Sequence, residues 1–187
     1  MKRLVSLALV LVLAGGVLAQ DNFGMYRMVD GEYSNFVMVD ELTPGATLDL
    51  YITLHDPSVF VVGGFEVGID MPEFTVVTDA EFDGINFGGS FTNLLVGYYT
   101  PIPAQETPVV LATLFVTVTA PDAGVCTMHG AVPPSIPGHD GPVIANGANP
   151  DELIACGYVD GTPDVFLFSE VVAVETQTFS GVKALFE

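Results

Sequence analysis

The residues best suited to chemistry are carboxylates that alternate along one short run. Asp79, Glu81 and Asp83 occupy every second position before a glycine, which is the order of oxygen ligands in the first half of an EF-hand loop. The twelfth position of that loop falls on Ser90, which cannot supply the usual bidentate carboxylate. The run therefore indicates either a Ca²⁺ site or a solvent-facing strand edge with alternating acids.

A second oxygen-rich group lies further along the chain, in a segment rich in turn-forming residues. Its members are Asp140, Asn146, Asn149, Asp151 and Glu152. Oxygen ligands of this kind suit Ca²⁺, but Asn and Asp also form turns by bonding to their own backbone. The group is a second candidate Ca²⁺ site, with turn formation as the alternative. Ca²⁺ is the one cofactor that the sequence suggests.

The two cysteines, Cys126 and Cys156, form one possible pair. An even number of cysteines favours pairing in an oxidising compartment, and such a bridge stabilises a fold by about 3–4 kcal/mol. We therefore predict a disulfide between them, with two buried free thiols as the alternative. The chain has no Cys-x-x-Cys pair, so a zinc site is not indicated.

Catalytic motifs are not recognisable in this sequence. His55, His129 and His139 lie on different segments and form no spaced pair of the metalloprotease kind. The chain has no nucleophile elbow, P-loop or dinucleotide-binding glycine pattern. We therefore expect a protein that is not an enzyme, and we rank a hydrolase with an unrecognised site third among the possible functions.

Aromatic side chains offer one further kind of site. Sugar-binding surfaces commonly use aromatic rings as stacking platforms, but the chain has no Trp. Tyr98 and Tyr99 are the candidate platform, and Tyr51 is the other possible substitute. The alternative is that each tyrosine is a strand residue half-packed on its neighbours.

The segments that must position these residues have the pattern of β-strands. Residues 47–54, 65–71 and 110–119 alternate apolar and polar side chains, as half-buried strands do. Their apolar faces comprise Leu48, Leu50, Ile52, Leu54, Phe65, Val67, Ile69, Met71, Val110, Ala112, Leu114, Val116 and Val118. Weaker strand patterns cover 24–29, 33–39, 74–78, 93–99, 126–132, 165–168 and 171–175. Turn signals between them include Asp30-Gly31, Gly63-Gly64 and Asp160-Gly161.

Many short strands without an alternating helical pattern predict an all-β domain. We predict a two-sheet antiparallel β-sandwich of jelly-roll type over residues 20–175. Residues 133–164 hold six of the 13 prolines and are predicted to form a long loop insertion. Residues 176–187 form a C-terminal tail, in which Ser180 could cap a short helix.

The N-terminus has the three parts of a secretory signal peptide. Lys2 and Arg3 precede an apolar run, and Ala19 ends the segment. The apolar run is too short to span a bilayer as an anchor. We therefore predict a signal peptide over residues 1–19, no integral membrane segment after its cleavage, and a secreted protein at the cell surface, in the periplasm or in the extracellular medium.

The charge balance of the chain limits its partners. The chain has 23 acidic residues and a formal charge of −19, and beyond residue 19 its only Lys or Arg are Arg27 and Lys183. Such a surface repels the phosphates of nucleic acids and anionic membranes, so nucleic acid is excluded as a partner. It attracts cations such as Ca²⁺, although solubility or a salty environment is the simpler explanation.

Three strand segments, over roughly residues 44–130, resemble the cohesin-like and carbohydrate-binding-module sandwiches of secreted bacterial proteins. They are TLDLYITLHD after Gly45, VGGFEVGID at 62–70, and LATLFVTVTA at 111–120 followed by Gly124. The resemblance implies a sandwich whose partner is an extracellular protein or polysaccharide. Cohesins of scaffold proteins come in tandem with linkers, whereas this sequence has one copy.

The sequence also resembles a group of small uncharacterised secreted bacterial proteins. The shared features are SIPG at 135–138, NPD at 149–151 and the tail TFSGVKAL at 178–185. That group implies no function. We therefore predict a secreted, non-enzymatic, cohesin-like module for adhesion, protein interaction or extracellular structure, with a carbohydrate-binding module as the alternative.

Overall fold

The computed structural model describes residues 21–170, and within them the chain is all-β. The strands are β1 (Asn22–Val29), β2 (Glu32–Ser34), β3 (Phe36–Met38), β4 (Thr47–His55), β5 (Val61–Asp70), β6 (Thr75–Glu81), β7 (Gly84–Asn86), β8 (Asn93–Pro103), β9 (Val109–Val118), β10 (Gly124–His129), β11 (Val143–Asn146), β12 (Leu153–Ala155), β13 (Gly157–Tyr158) and β14 (Asp164–Ser169). One 3-10 turn, Val39–Glu41, follows β3. Across this part of the chain, no helix has the length and apolar character needed to cross a membrane. The signal peptide, the strand at 171–175 and the C-terminal helix that the sequence predicts lie outside the described residues.

The first sheet has the strand order β13-β1-β4-β9-β6, and β2 extends β1 as a hairpin. Its long strands pair antiparallel, whereas β13 pairs parallel with β1. The β1–β2 loop is Asp30-Gly31, and both residues have positive φ, 52° and 87°. That conformation is the type I′ turn, whose twist suits a two-residue hairpin, so the turn predicted at Asp30-Gly31 is confirmed.

The second sheet is built around β5. Along one edge of β5, the first part of the strand pairs with β11 and its last residues pair with β10. The other edge of β5 pairs with β8, which in turn pairs with β7. From β5 the sheet continues through β10 and β14 to β3, and through β11 to β12. The β14–β3 pair is parallel. Because each sheet contains one parallel pair, the sheets are mixed and not purely antiparallel as predicted.

One hydrophobic core joins the two sheets. Leu50, Val67 and Leu114, from three different strands, are fully buried. The rings of Phe23 in the first sheet and Phe65 in the second are 6.4 Å apart. The predicted period of two is confirmed in β4, in β5 and in β9 from Ala112 onward, since their apolar faces pack into this core. A strand shifted by one residue would instead bury carboxylates without partners, at a cost of several kcal/mol.

One apolar residue of the predicted face lies elsewhere. Val110 is 40% exposed, whereas its neighbour Leu111 is buried. The pairing of β4 with β9 shifts at this point, since Ile52 pairs with Ala112 and Thr53 pairs with Val110. The extra residue is a β-bulge, which reverses the facing of the side chains beyond it. The alternation predicted for 110–119 therefore holds only from Ala112 onward.

The region 133–164 is not one long loop as predicted. It contains β11, β12 and β13, and these short strands extend both sheets. The Pro, Gly and Asn residues that suggested a loop form the turns between them. The strands themselves form because β5 and β1 offer edges that need backbone partners. The predicted turn at Gly63-Gly64 is also wrong, since both glycines lie inside β5.

Candidate functional site

The acidic run that resembled half of an EF-hand does not fold as a loop. Asp79 and Glu81 lie on β6, an edge strand of the first sheet, and both are exposed. The Asp79 carboxylate accepts a hydrogen bond of 2.8 Å from the backbone N–H of Ala80. Asp83 follows in the connection to β7. This geometry corresponds to the alternative that we gave for the run, an acidic strand edge.

The second acidic group is divided between the two ends of a hairpin. Asp140 precedes β11, whereas Asp151 and Glu152 lie in the turn between β11 and β12. In that turn the Asn146 side-chain amide donates to the Glu152 carboxylate at 2.7 Å, and the Glu152 N–H donates to the Asn149 carbonyl at 2.9 Å. These polar groups close the turn. Over residues 21–170, no three His, Cys, Asp or Glu side chains form a group that could hold a metal ion.

The predicted disulfide is wrong, because Cys126 and Cys156 are both buried free thiols. Cys126 lies on β10 and contacts two methionine sulfurs inside the core. Cys156 lies between β12 and β13 and donates to the Ile154 carbonyl at 3.4 Å. Burial raises the pKa of the Cys126 thiol to about 12 and also raises that of Cys156. Both thiols are therefore protonated and poor nucleophiles.

The predicted sugar platform of Tyr98 and Tyr99 is not assembled on one surface. Tyr98 packs 6.0 Å from the ring of Phe65 and donates to the Leu111 carbonyl at 2.7 Å. Burial raises the pKa of its phenol. Tyr99 is 68% exposed. Neighbouring residues of a strand face opposite sides, so Tyr98 joins the two sheets while Tyr99 faces solvent.

The three histidines remain on separate elements. His55 ends β4 and contacts Thr53, with 3.1 Å between its Nε2 and the Thr53 hydroxyl. His129 ends β10, with Nδ1 2.7 Å from the Gly130 carbonyl. The Nε2 atom of His139 is 3.0 Å from the Pro142 carbonyl. Each imidazole ring contacts a group within three residues of it along the chain, and no hydrogen bond joins any two of the three histidines.

The most distinctive concave surface is a groove on the outer face of the second sheet, which the sequence analysis missed. Cross-strand partners share a face, so Gly97, Gly64, Ala145 and Leu153 form one row across β8, β5, β11 and β12. The next row contains Leu95, Glu66 and Val143. Three of the four residues in the first row have no side chain beyond Cβ, so that row is a trough. We call this surface the β5 groove.

The walls of the β5 groove are apolar at both ends. Phe87 is 73% exposed, and its ring lies 3.6 Å from the point where a Cβ of Gly97 would be. Leu153 lies at the other end of the row and is 38% exposed. The space between them has a volume of about 300 Å³, and the row spans about 14 Å at the usual spacing of strands.

One carboxylate marks the side of the β5 groove. Glu66 accepts hydrogen bonds from both the backbone N–H and the hydroxyl of Ser135. An ionised carboxylate offers about four lone-pair positions, so Glu66 keeps acceptor capacity for a donor in the groove. The sequence signal for this site is the segment VVGGFEVGID, in which Gly64 and Glu66 alternate with the inward-facing Phe65 and Val67. The pair Gly63-Gly64 instead suggests a turn when the sequence is taken alone.

A second surface lies on the outer face of the first sheet. Tyr26, Tyr33, Tyr51 and His55 contact one another, and we call them the tyrosine cluster. The Tyr26 ring is 5.7 Å from Tyr33 and 5.5 Å from His55, and Tyr33 is 6.3 Å from Tyr51. The hairpin turn at Asp30-Gly31 places Tyr33 of β2 here. The rings meet at 45–78°, so they form a packed cluster and not a flat platform.

The electrostatics of the tyrosine cluster reflect partial burial beside carboxylates. Burial raises the pKa of Tyr26, and the nearby Asp160 raises it further. Burial lowers the pKa of His55, while Asp56 and Asp160 oppose that change. His55 is therefore mainly uncharged at neutral pH. The cluster offers aromatic surface, phenol hydroxyls and a carboxylate within one area.

No protein-family model, curated protein or solved structure shows significant similarity to this chain.

Proposed function

We propose that this chain is an exported, non-enzymatic β-sandwich of cohesin-like type that binds another extracellular protein through the β5 groove. The proposal of export rests on the signal-peptide pattern at residues 1–19. The sandwich is supported by two mixed sheets that share one core. Function in such a fold is expected on an outer face or on loops, because side chains fill the interior.

The observation that carries the proposal is the trough of small residues between two exposed apolar walls. Gly64, Gly97 and Ala145 leave the backbone of three strands open between Phe87 and Leu153. A length of about 14 Å accommodates about four residues of an extended chain, at 3.3–3.6 Å per residue. The groove thus fits a short extended protein segment, whose apolar side chain would cover the Phe87 ring.

The negative charge of this chain indicates which residues the partner segment should carry. Arg27 is the only Lys or Arg between residues 21 and 170, and its guanidinium is already paired with Glu41 at 2.9 Å. Glu66 adds a carboxylate at the groove itself. A partner segment that carries a Lys or Arg beside an apolar side chain would pair with the Glu66 carboxylate. The negative charge of the whole chain would also attract it.

An array of short peptides probed with the exported protein tests this proposal. We expect retained peptides to combine an apolar residue with a neighbouring Lys or Arg. Phe87→Ala should weaken their binding about tenfold or more, as loss of an aromatic anchor does. The matched control is Phe60→Ala, since Phe60 is 80% exposed and lies outside the groove. No retained peptides, or equal losses in the two variants, would contradict the proposal.

Carbohydrate binding is the second candidate, and the tyrosine cluster favours it. Tyrosine rings and hydroxyls can contact the apolar face and the hydroxyl groups of a sugar. Tyr33 is 39% exposed and contacts two other tyrosines. On a glycan array, Tyr33→Ala should then lose binding that the control Tyr99→Ala retains, because Tyr99 is exposed but lies outside the cluster. An array without a bound glycan would remove this candidate.

A further inference from the structure

The Cys126 sulfur contacts two methionine sulfurs between the two sheets. The Cys126 thiol on β10 lies 3.6 Å from the Met25 sulfur on β1 and 3.4 Å from the Met71 sulfur, which follows β5. Cys126 and Met25 have no exposed surface, whereas Met71 is partly exposed. The chain has only two cysteines and six methionines. Two thioether sulfurs therefore lie beside one thiol, and sulfurs of both kinds are soft donors that a metal could use.

The two separations from the Cys126 sulfur are close to those between ligands of a three-coordinate metal centre. A metal bonded to three sulfurs at about 2.3 Å, the length of a zinc–thiolate bond, holds those sulfurs about 4 Å apart. Each thioether sulfur would need to move away from the Cys126 sulfur by only a few tenths of an ångström. Thiolate and thioether ligands are soft donors, of the kind that Cu(I) and zinc accept.

Net charge also favours a monovalent ion. The surrounding core is apolar, and an uncompensated charge in such a place is costly. Cu⁺ bound to one thiolate and two neutral thioethers is a neutral unit, whereas Zn²⁺ or Cu²⁺ would leave a buried positive charge. We propose that Cys126, Met25 and Met71 form a binding site for one Cu(I) ion.

Binding at this site exchanges a proton for the metal. The Cys126 S–H bond breaks, the sulfur–copper bond forms, the proton leaves to solvent, and no atom changes its oxidation state. Because a proton is released for each ion bound, the affinity should increase with pH. The partly exposed Met71 gives the ion a way in, and the exposed Asp70 beside it attracts cations.

Competition with a chromophoric Cu(I) chelator, under anaerobic and reducing conditions, tests the proposal on the exported protein. We expect each chain to withdraw one equivalent of Cu(I) from the chelator. Cys126→Ser should abolish this binding. The matched control, Cys156→Ser, removes the other buried thiol and should bind copper as the parent does. Met71→Leu keeps the volume of the core and should weaken binding about tenfold or more.

The outcomes separate the site from adventitious binding. The proposal is overturned if the parent withdraws no copper, if Cys126→Ser binds as the parent does, or if Cys156→Ser loses binding as completely. Should Cys126→Ser fail to fold, as circular dichroism would show, Met71→Leu decides the question. Unchanged affinity in a folded Met71→Leu protein would then overturn the site.

Discussion

Whether a cysteine is bonded or free depends on its surroundings in the fold and not only on its residue type, as Cys126 shows. The sequence contains two cysteines, and counting them favours a disulfide. The structure instead places Cys126 on an inward-facing strand position, against Met25 of the opposite sheet. Cys156 lies where the chain passes from the second sheet to the first. The partner of a thiol is set by strand pairing at long range, which counting cysteines does not reveal.

The thiols provide a prediction at this scale. In the native protein, neither Cys126 nor Cys156 should react readily with a chromogenic disulfide reagent, because both are buried and burial raises the pKa of each thiol. In denaturant without any reductant, both should react at once. Measuring released chromophore under the two conditions checks this. If denaturant exposes no thiol until a reductant is added, the cysteines were bonded to each other.

At the scale of elements, alternation was a good guide wherever a strand buries one face. The core residues of β4 and β5 were predicted because a strand with an apolar residue at every second position can bury its apolar face in only one orientation. The same reasoning failed at Val110, where a bulge beside Leu111 changes the facing of the strand. The short strands β11, β12 and β13 were missed because two to four residues are too few to show a period.

Two paired glycines allow a test of strand packing. Gly64 and Gly97 are cross-strand partners, yet an added Cβ at Gly64 would lie 2.3 Å from the Val96 carbonyl oxygen, whereas at Gly97 its nearest neighbour is 3.6 Å away. Gly64→Ala should therefore lower the free energy of unfolding by about 1–3 kcal/mol, the usual cost of overpacking. Gly97→Ala, the matched control, should be within about 0.5 kcal/mol of the parent.

Urea unfolding followed by circular dichroism measures both variants. A Gly64→Ala protein as stable as Gly97→Ala would mean that the backbones of β5 and β8 are further apart than described. That result would also weaken the account of the β5 groove, whose floor these two strands provide.

At the scale of the whole molecule, both candidate surfaces combine residues that the sequence separates widely. The β5 groove combines Gly64, Gly97 and Ala145 in its floor with Leu153 in its wall. The tyrosine cluster combines β1, β2 and β4. The all-β composition, the positions of the long strands β4, β5 and β9, and the acidic charge could be predicted, because each depends on local sequence. The parallel pairs β13–β1 and β14–β3 and both surfaces could not, because they follow from which strands become neighbours.

The charge of the chain acts at the same scale. With 23 acidic residues and four basic ones, the whole surface attracts cationic groups over a distance set by salt, about 8–10 Å at physiological ionic strength. Binding of a basic segment should therefore be faster at low salt. In the proposed complex the apolar contacts with Phe87 and Leu153 would be short-range, and they would determine where on the surface the segment lies.

The most direct test of the central claim is a map of the amides that change when a partner binds. The measurement is a nitrogen–proton NMR titration of the labelled protein with the tightest peptide from the array. We predict that the largest shifts will be at Gly64, Gly97 and Ala145, with the amides of Tyr26 and Tyr51 unmoved. Shifts centred on the tyrosine cluster, or spread evenly over both sheets, would contradict the claim that the β5 groove is the binding surface.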